Sequence, residues 1–187
     1  MAPPDEFLAI LGSSTPPGRL RSAIEEGLGG VGLDSAASLV DLSELDIGPA
    51  GRPPDAGDDT PALLERIEGA RVVLLASPIY RGSITGVLKN LLDHVPVPAL
   101  RQTVVPIVTM GGSDHHYLGG DRHLRDILTF FGALPLPVSL YLNSKGFEDG
   151  APTAETVESV TELIVAAREF SQALEPVRDW GTPPLYS

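Results

Sequence analysis

A chain of 187 residues and 19.7 kDa is long enough for one domain that buries roughly 70% of the surface its unfolded form exposes. Its 13 basic and 25 acidic residues give a formal charge of −12, which repels phosphate backbones and anionic lipids and argues against nucleic-acid and membrane partners. The lack of cysteine excludes disulfide frameworks, thiolate metal sites, iron–sulfur ligation and cysteine nucleophiles. Met1 to Glu6 carries neither a basic region nor an apolar run, and no stretch approaches the ~20 apolar residues of a membrane helix, so a soluble cytoplasmic protein is expected.

Phe7 to Leu11 is apolar throughout, as a strand covered on both faces requires. Leu20, Ala23, Ile24, Gly27 and Leu28 then recur at helical spacing. A second strand is predicted at Ser38 to Leu42, followed by a long surface loop from Gly48 to Asp59, rich in Gly, Pro and Asp. Leu63, Leu64 and Ile67 mark a second helix and Val72 to Ala76 the third strand. Ile84, Val87, Leu88, Leu91, Leu92 and Val95 form a clean apolar helical face. The fourth strand, Thr103 to Thr109, is interrupted by Pro106, which is awkward in a central strand. Leu124, Ile127, Leu128 and Phe131 give the next helix, and the fifth strand falls at Pro137 to Leu142. The last helix carries Val157, Val160, Leu163, Ile164, Ala167, Phe170 and Leu174. Five βα units predict a three-layer, doubly wound α/β domain over residues 1–175. Residues 176–187 cannot continue the final helix; they read as a disordered tail, or as a segment that Trp180, Leu185 and Tyr186 dock on a neighbouring subunit.

In such sheets ligands bind beyond the carboxyl ends of the strands, where the strand order reverses. After the first strand, Gly12-Ser13-Ser14-Thr15-Pro16-Pro17-Gly18-Arg19-Leu20-Arg21 places hydroxyls and two arginines at a helix N-terminus. Free N–H groups and the helix dipole favour an anion there, a phosphate above all, although an ordinary capped loop has the same composition. Walker spacing, the G-x-G-x-x-G fingerprint and the G-x-S-x-G elbow are all absent. Asp41 lies further from Gly12 than the ~20 residues expected of a ribose-binding acid. The third strand leads into Ser77-Pro78-Ile79-Tyr80-Arg81-Gly82-Ser83 and the fourth into Thr109-Met110-Gly111-Gly112-Ser113. A Pro–aromatic–Gly turn beside a Gly-Gly turn suits a planar ring lying against bare backbone. Asp114-His115-His116-Tyr117, with Asp121-Arg122-His123, matches no standard metal-ligand spacing and reads as a substrate mouth or a solvated turn.

Taken together, GSSTPPGR, SPIYRGSITGVLKNLLD and TMGGS resemble the NADPH-dependent FMN reductase family over about residues 7 to 143. The resemblance implies a flavodoxin-like fold, a five-stranded parallel sheet in order 2-1-3-4-5 with helices on both faces. It implies Ser13, Thr15, Arg19 and Arg21 around the FMN phosphate. Pro78, Ile79, Tyr80, Arg81, Gly82 and Ser83 would line the isoalloxazine, and Gly111, Gly112 and Ser113 its other edge. No catalytic acid or base is implied, because the flavin carries the chemistry. NADPH would pass hydride to FMN, and reduced flavin would serve a partner monooxygenase or another acceptor. The alternatives are a flavodoxin-type electron carrier and an FMN-containing quinone or azo reductase. A homodimer or homotetramer through the Ile84–Val95 helix is implied too, with Lys89 and Asp93 at the interface or as a local ion pair. Within an otherwise acidic surface, Arg81 or Arg122 is suited to a nicotinamide dinucleotide's 2′-phosphate. Thr15 stands where the family often has arginine, and Arg122 where some members carry an aromatic residue.

Overall fold

In the computed structural model, which describes residues 7–15, 18–114 and 117–177, the apolar run Phe7–Leu11 forms a strand (β1) buried along its whole length. Leu39–Asp41 (β2) and Val72–Pro78 (β3) flank it in parallel. Beyond β3 come Val104–Val105 (β4) and Ile107–Met110 (β5), then Leu134–Pro135 (β6) and Leu140–Leu142 (β7) at the far edge. Every pairing in this sheet is parallel. β4 with β5 and β6 with β7 each occupy one position, so five positions run in the expected order 2-1-3-4-5.

Proline decides where the sequence boundaries and the structure differ. Pro106 splits the fourth strand without shifting it: Val72 faces Val104 and Leu75 faces Ile107, one constant register. Its carbonyl still accepts from the Leu75 N–H at 3.0 Å, so only the donor that proline lacks is lost. On the edge, Val104 faces Leu134 but Val108 faces Leu140. The edge strand therefore carries two more residues than its neighbour over the same span, and it breaks around Pro137 instead of starting there. β2 is shorter than Ser38 to Leu42 because a helical turn, Ser35–Ser38 (α2), runs up to it, capped by the Asp34 carboxylate on the Ala36 N–H.

Alternation along β1 and β3 divides the core. Leu8, Ile10, Val73 and Leu75 face the layer containing Thr60–Gly69 (α3), Gly86–His94 (α4) and Tyr117–Phe131 (α5). Phe7, Ala9, Leu11, Leu74 and Ala76 face Arg19–Gly30 (α1) and Ala154–Leu174 (α6). A small antiparallel hairpin, Phe147–Glu148 (β8) with Ala151–Pro152 (β9), precedes α6. Ile84, Leu88, Leu91, Leu92 and Val95 are buried in the chain's own core and Val87 packs against it, so this apolar stripe does not by itself require a partner chain. The Gly48–Asp59 loop is irregular, as expected, and Asn90 of α4 holds it through the Ala50 N–H (3.0 Å) and the Gly48 carbonyl (2.8 Å). Among the described residues no helix is long and apolar enough to cross a membrane. Pro16-Pro17, His115-His116 and residues 178–187 lie outside the described residues.

Tight packing of α1 against α6 explains Gly27. A Cβ there would lie 2.3 Å from Val160 Cγ1 and 2.9 Å from Val160 Cβ, and Val160 is fully buried. Gly27→Ala is expected to lower stability by about 1–2 kcal/mol, overpacking outweighing the gain in helix propensity. In a Val160→Ala background the same substitution should stabilise. Thermal melts of the four proteins check the reversal of sign.

Candidate functional site

Three loops leave the carboxyl ends of the central strands, and buried hydroxyls lock two of them together. The Thr85 hydroxyl donates to the Gly12 carbonyl at 2.6 Å and accepts from the Leu88 N–H at 3.2 Å, capping α4. The Thr85 N–H donates to Ser77 Oγ at 3.3 Å, and the Gly12 N–H to the Ala76 carbonyl at 2.7 Å. Gly12 is required by closeness: a Cβ would lie 2.7 Å from Leu88 Cβ. The sequence reading passed over Ser77 and Thr85 as site-building residues; their signal was a hydroxyl at the end of an apolar strand and another opening a helix.

The first loop runs from Gly12 into α1. Ser13 is nearly buried while Ser14 and Thr15 are exposed. α1 begins after Gly18 with no side-chain cap and no acidic residue in its first turn. Its ladder opens with the Ser22 N–H on the Gly18 carbonyl, so the first amides have no intrahelical acceptor and carry the positive end of the helix dipole. The Arg19 guanidinium lies 5.3 Å from the centre of the Phe147 ring, with no ion pair among the described residues.

The second loop is built on a tight turn. Tyr80 and Ser83 exchange N–H···O bonds at 2.9 and 3.2 Å, and the residues between them, Arg81 (φ 55°) and Gly82 (φ 79°), are both left-handed. This is the type I′ geometry. The start of α5 presses on it: a Cβ on Gly119 would lie 2.4 Å from the Gly82 carbonyl, and one on Gly120 2.1 Å from Ile79 Cδ1. Ser83 Oγ and His123 Nδ1 are hydrogen bonded at 2.8 Å. In the third loop, a Cβ on Gly111 would lie 2.0 Å from Tyr141 Oη. The Tyr141 hydroxyl donates to the Ser113 carbonyl, while Asp114 takes the Asn143 amide and the Lys145 ammonium. Burial, then the nearby Asp114 charge, raises the Tyr141 pKa, which keeps this donor protonated. The Asp114 hydrogen bond raises that of Lys145.

Between the loops lies a groove of about 240 Å³. Ser13, Thr15 and Arg19 line it from the first loop, Pro78, Ile79 and Tyr80 from the second, Gly111 and Gly112 from the third; Gly18, Leu20 and Met110, which the sequence reading did not single out, complete it. Nothing lies within 4 Å of a Cβ placed on Gly18 or Gly112, so bare backbone borders open space there. The other expected residues are placed differently. Arg81 and Gly82 make the turn, and Ser83 faces a neighbouring cavity of about 450 Å³ shared with Lys89 and His123. Ser113 contributes its carbonyl to Tyr141. Arg21 is turned elsewhere: its guanidinium is held by Glu25 at 2.7 Å, Glu44 at 2.5 Å and buried Asp41 at 3.4 Å. The Glu25 and Glu44 hydrogen bonds raise its pKa further still. It turns to those carboxylates and does not line the groove. Another cavity, of about 300 Å³ beside Arg71 and Arg168, sits at the amino end of β3, away from these loops.

A five-position parallel sheet with a loop-built groove at the β1/β3 reversal defines the flavodoxin-like class of nucleotide-binding proteins. The family model described as NADPH-dependent FMN reductase matches residues 6–148. A protein of Pseudomonas fluorescens named NADH-dependent FMN reductase SfnF is 32% identical over 95% of this chain and 98% of its own length. One of Pseudomonas aeruginosa named FMN reductase (NADPH) is also 32% identical, over 87% of this chain and 90% of its own. Among solved structures, the apo form of the NADH:FMN oxidoreductase EmoB superposes with a TM-score of 0.72 at 24% identity, covering 88% of each chain. The chain belongs to the NADPH-dependent FMN reductase family and is an NAD(P)H-dependent oxidoreductase of that kind.

Thr85→Val keeps the shape and removes the hydroxyl, leaving the Gly12 carbonyl and Leu88 N–H unpaired. The expected loss is about 1–3 kcal/mol, with faster amide exchange at Leu88. Thr85→Ser should retain most of both, and melting curves with hydrogen exchange check the pair.

Proposed function

We propose that the groove holds FMN with its phosphate at the start of α1 and its ring across the second and third loops. The observation that carries this is the uncapped α1 terminus opening into the groove at the β1/β3 reversal, which fits an anion. The Ser13 and Thr15 hydroxyls, the first α1 amides and the Arg19 guanidinium would hold the phosphate. Pro78, Ile79 and Tyr80 would lie along the ring, and the bare backbone of Gly111 and Gly112 would approach its edge, with Gly82 and Ser113 fixing the loops that carry them. Bound there, FMN would supply the hydride acceptor for a reduced nicotinamide. The chain's own part is to bind and orient: the described residues lining the groove include no histidine, lysine or carboxylate poised as acid or base.

At about 240 Å³ the groove is smaller than the roughly 300–1,000 Å³ of pockets that enclose a ligand. One ring face therefore stays open, for the nicotinamide and then for release of reduced flavin to a partner monooxygenase or another acceptor. Assembly as a homodimer or homotetramer belongs to the same reading, since Tyr80, Tyr117 and Leu118 are exposed apolar surface that a second copy would cover. A cytoplasmic location, where reduced nicotinamide nucleotides are supplied, completes it.

Titration with FMN should change the flavin spectrum, and NADPH or NADH should bleach the bound flavin anaerobically; a flavin left oxidised by both would favour an electron carrier. Arg19→Ala should weaken FMN binding about 10- to 150-fold, one charge-assisted hydrogen bond of about 1.5–3 kcal/mol. Riboflavin, which lacks the phosphate, should bind almost as before. Equal weakening of both ligands would contradict the placement of the phosphate.

A further inference from the structure

The relatives at 32% identity divide between NADH and NADPH in their names, so the family leaves open which dinucleotide this chain takes. The two differ by one dianionic phosphate on the adenosine ribose. A chain of net charge −12 repels that group unless cations are set aside for it. Five arginines and lysines are committed elsewhere: Arg21, Arg71, Lys89, Arg125 and Lys145 are all in ion pairs.

Arg81 and Arg122 are not among them, both exposed and neither in an ion pair among the described residues. The elements that carry them meet. The Gly82 carbonyl touches α5 at Gly119, and Arg122 lies one helical turn on from Gly119. Beside it, His123 is bonded to Ser83 of the same turn. Arg122 thus flanks the turn that carries Arg81, at the rim of the groove that Tyr80 lines. Asp126, four residues after Arg122, is placed for a helical ion pair yet makes none among the described residues. Arg81 is, moreover, a poor residue for its backbone: the first centre of a type I′ turn favours Asn, Asp or Gly, and φ is 55°. A local rule broken at the rim of a site calls for a compensating role.

We propose that Arg81 and Arg122 together bind the 2′-phosphate of NADPH and set this chain's preference for NADPH over NADH. The inference rests on the groove being the flavin site, with the dinucleotide crossing its rim. Two planar guanidinium groups approaching from different elements can each give charge-assisted hydrogen bonds to one phosphate.

The test compares adenosine 2′,5′-bisphosphate with AMP, which differ only in the 2′-phosphate, by calorimetry on the FMN-loaded protein. Wild type should bind the bisphosphate at least tenfold more tightly. Arg81→Gly, which suits the left-handed backbone and so preserves the fold, should remove most of that preference. Arg122→Ala should do the same, and Arg81→Lys should keep part of it. In turnover, the NADPH-to-NADH ratio of kcat/KM should fall by about tenfold or more for each loss of guanidinium. A wild type that does not distinguish the two probes, or variants that keep its preference, would overturn the proposal. If neither dinucleotide reduces bound flavin, the proposed function fails, and the bisphosphate titration still decides the role of the two arginines.

Discussion

One buried hydroxyl holds the site in shape. Thr85 Oγ1 sits between the carbonyl that opens the first loop and the amide that opens α4. Loops that must meet a ligand at their tips have exposed, weakly packed backbone, and their geometry depends on what fixes their bases. Here the bases of two loops share a threonine, and a second buried hydroxyl, Ser77, ties that threonine to β3. Neither loop can move without leaving a buried polar group unpaired, which keeps the groove preformed without a ligand.

The third loop is fixed from outside by Tyr141, Asn143 and Lys145 at the end of the edge strand. Glycines mark the points where elements meet most closely: Gly111 under the tyrosine ring, Gly119 and Gly120 against the Tyr80–Ser83 turn. Arginine is divided with equal economy. Arg21 joins α1 to the acidic residues around β2, Arg125, paired with Asp121 on its own helix, joins α5 to the edge through the Pro137 carbonyl, and Arg19, stacked on Phe147, remains for the groove.

Much of this was legible in the sequence because the elements that matter are locally consistent. β1 and β3 are continuous apolar runs, and the three Gly- and Ser-rich turns follow strands at the points where a doubly wound sheet places its ligand. Eight of the thirteen expected site residues line one groove. What the sequence hid was direction. At about 100° per residue, Arg19 and Arg21 point about 200° apart around α1, so one helix start could not aim both at one anion. Asp41 looked like a failed ribose-binding acid; it is the buried partner of Arg21 and Ser43. The apolar stripe of α4 suggested a partner chain, yet the chain's own sheet and loop cover it, because helix period reveals a face and not what lies on it. Gly119-Gly120 inside a helical pattern was a readable sign of close backbone approach.

The two extra residues on the edge strand have an effect outside the site. An edge strand in even register offers a straight row of free N–H and C=O groups on which another sheet can grow. Here the row is interrupted between β6 and β7, proline removes donors at 135 and 137, and Val138 stands out, 67% exposed. A newly made copy therefore meets no template along this border.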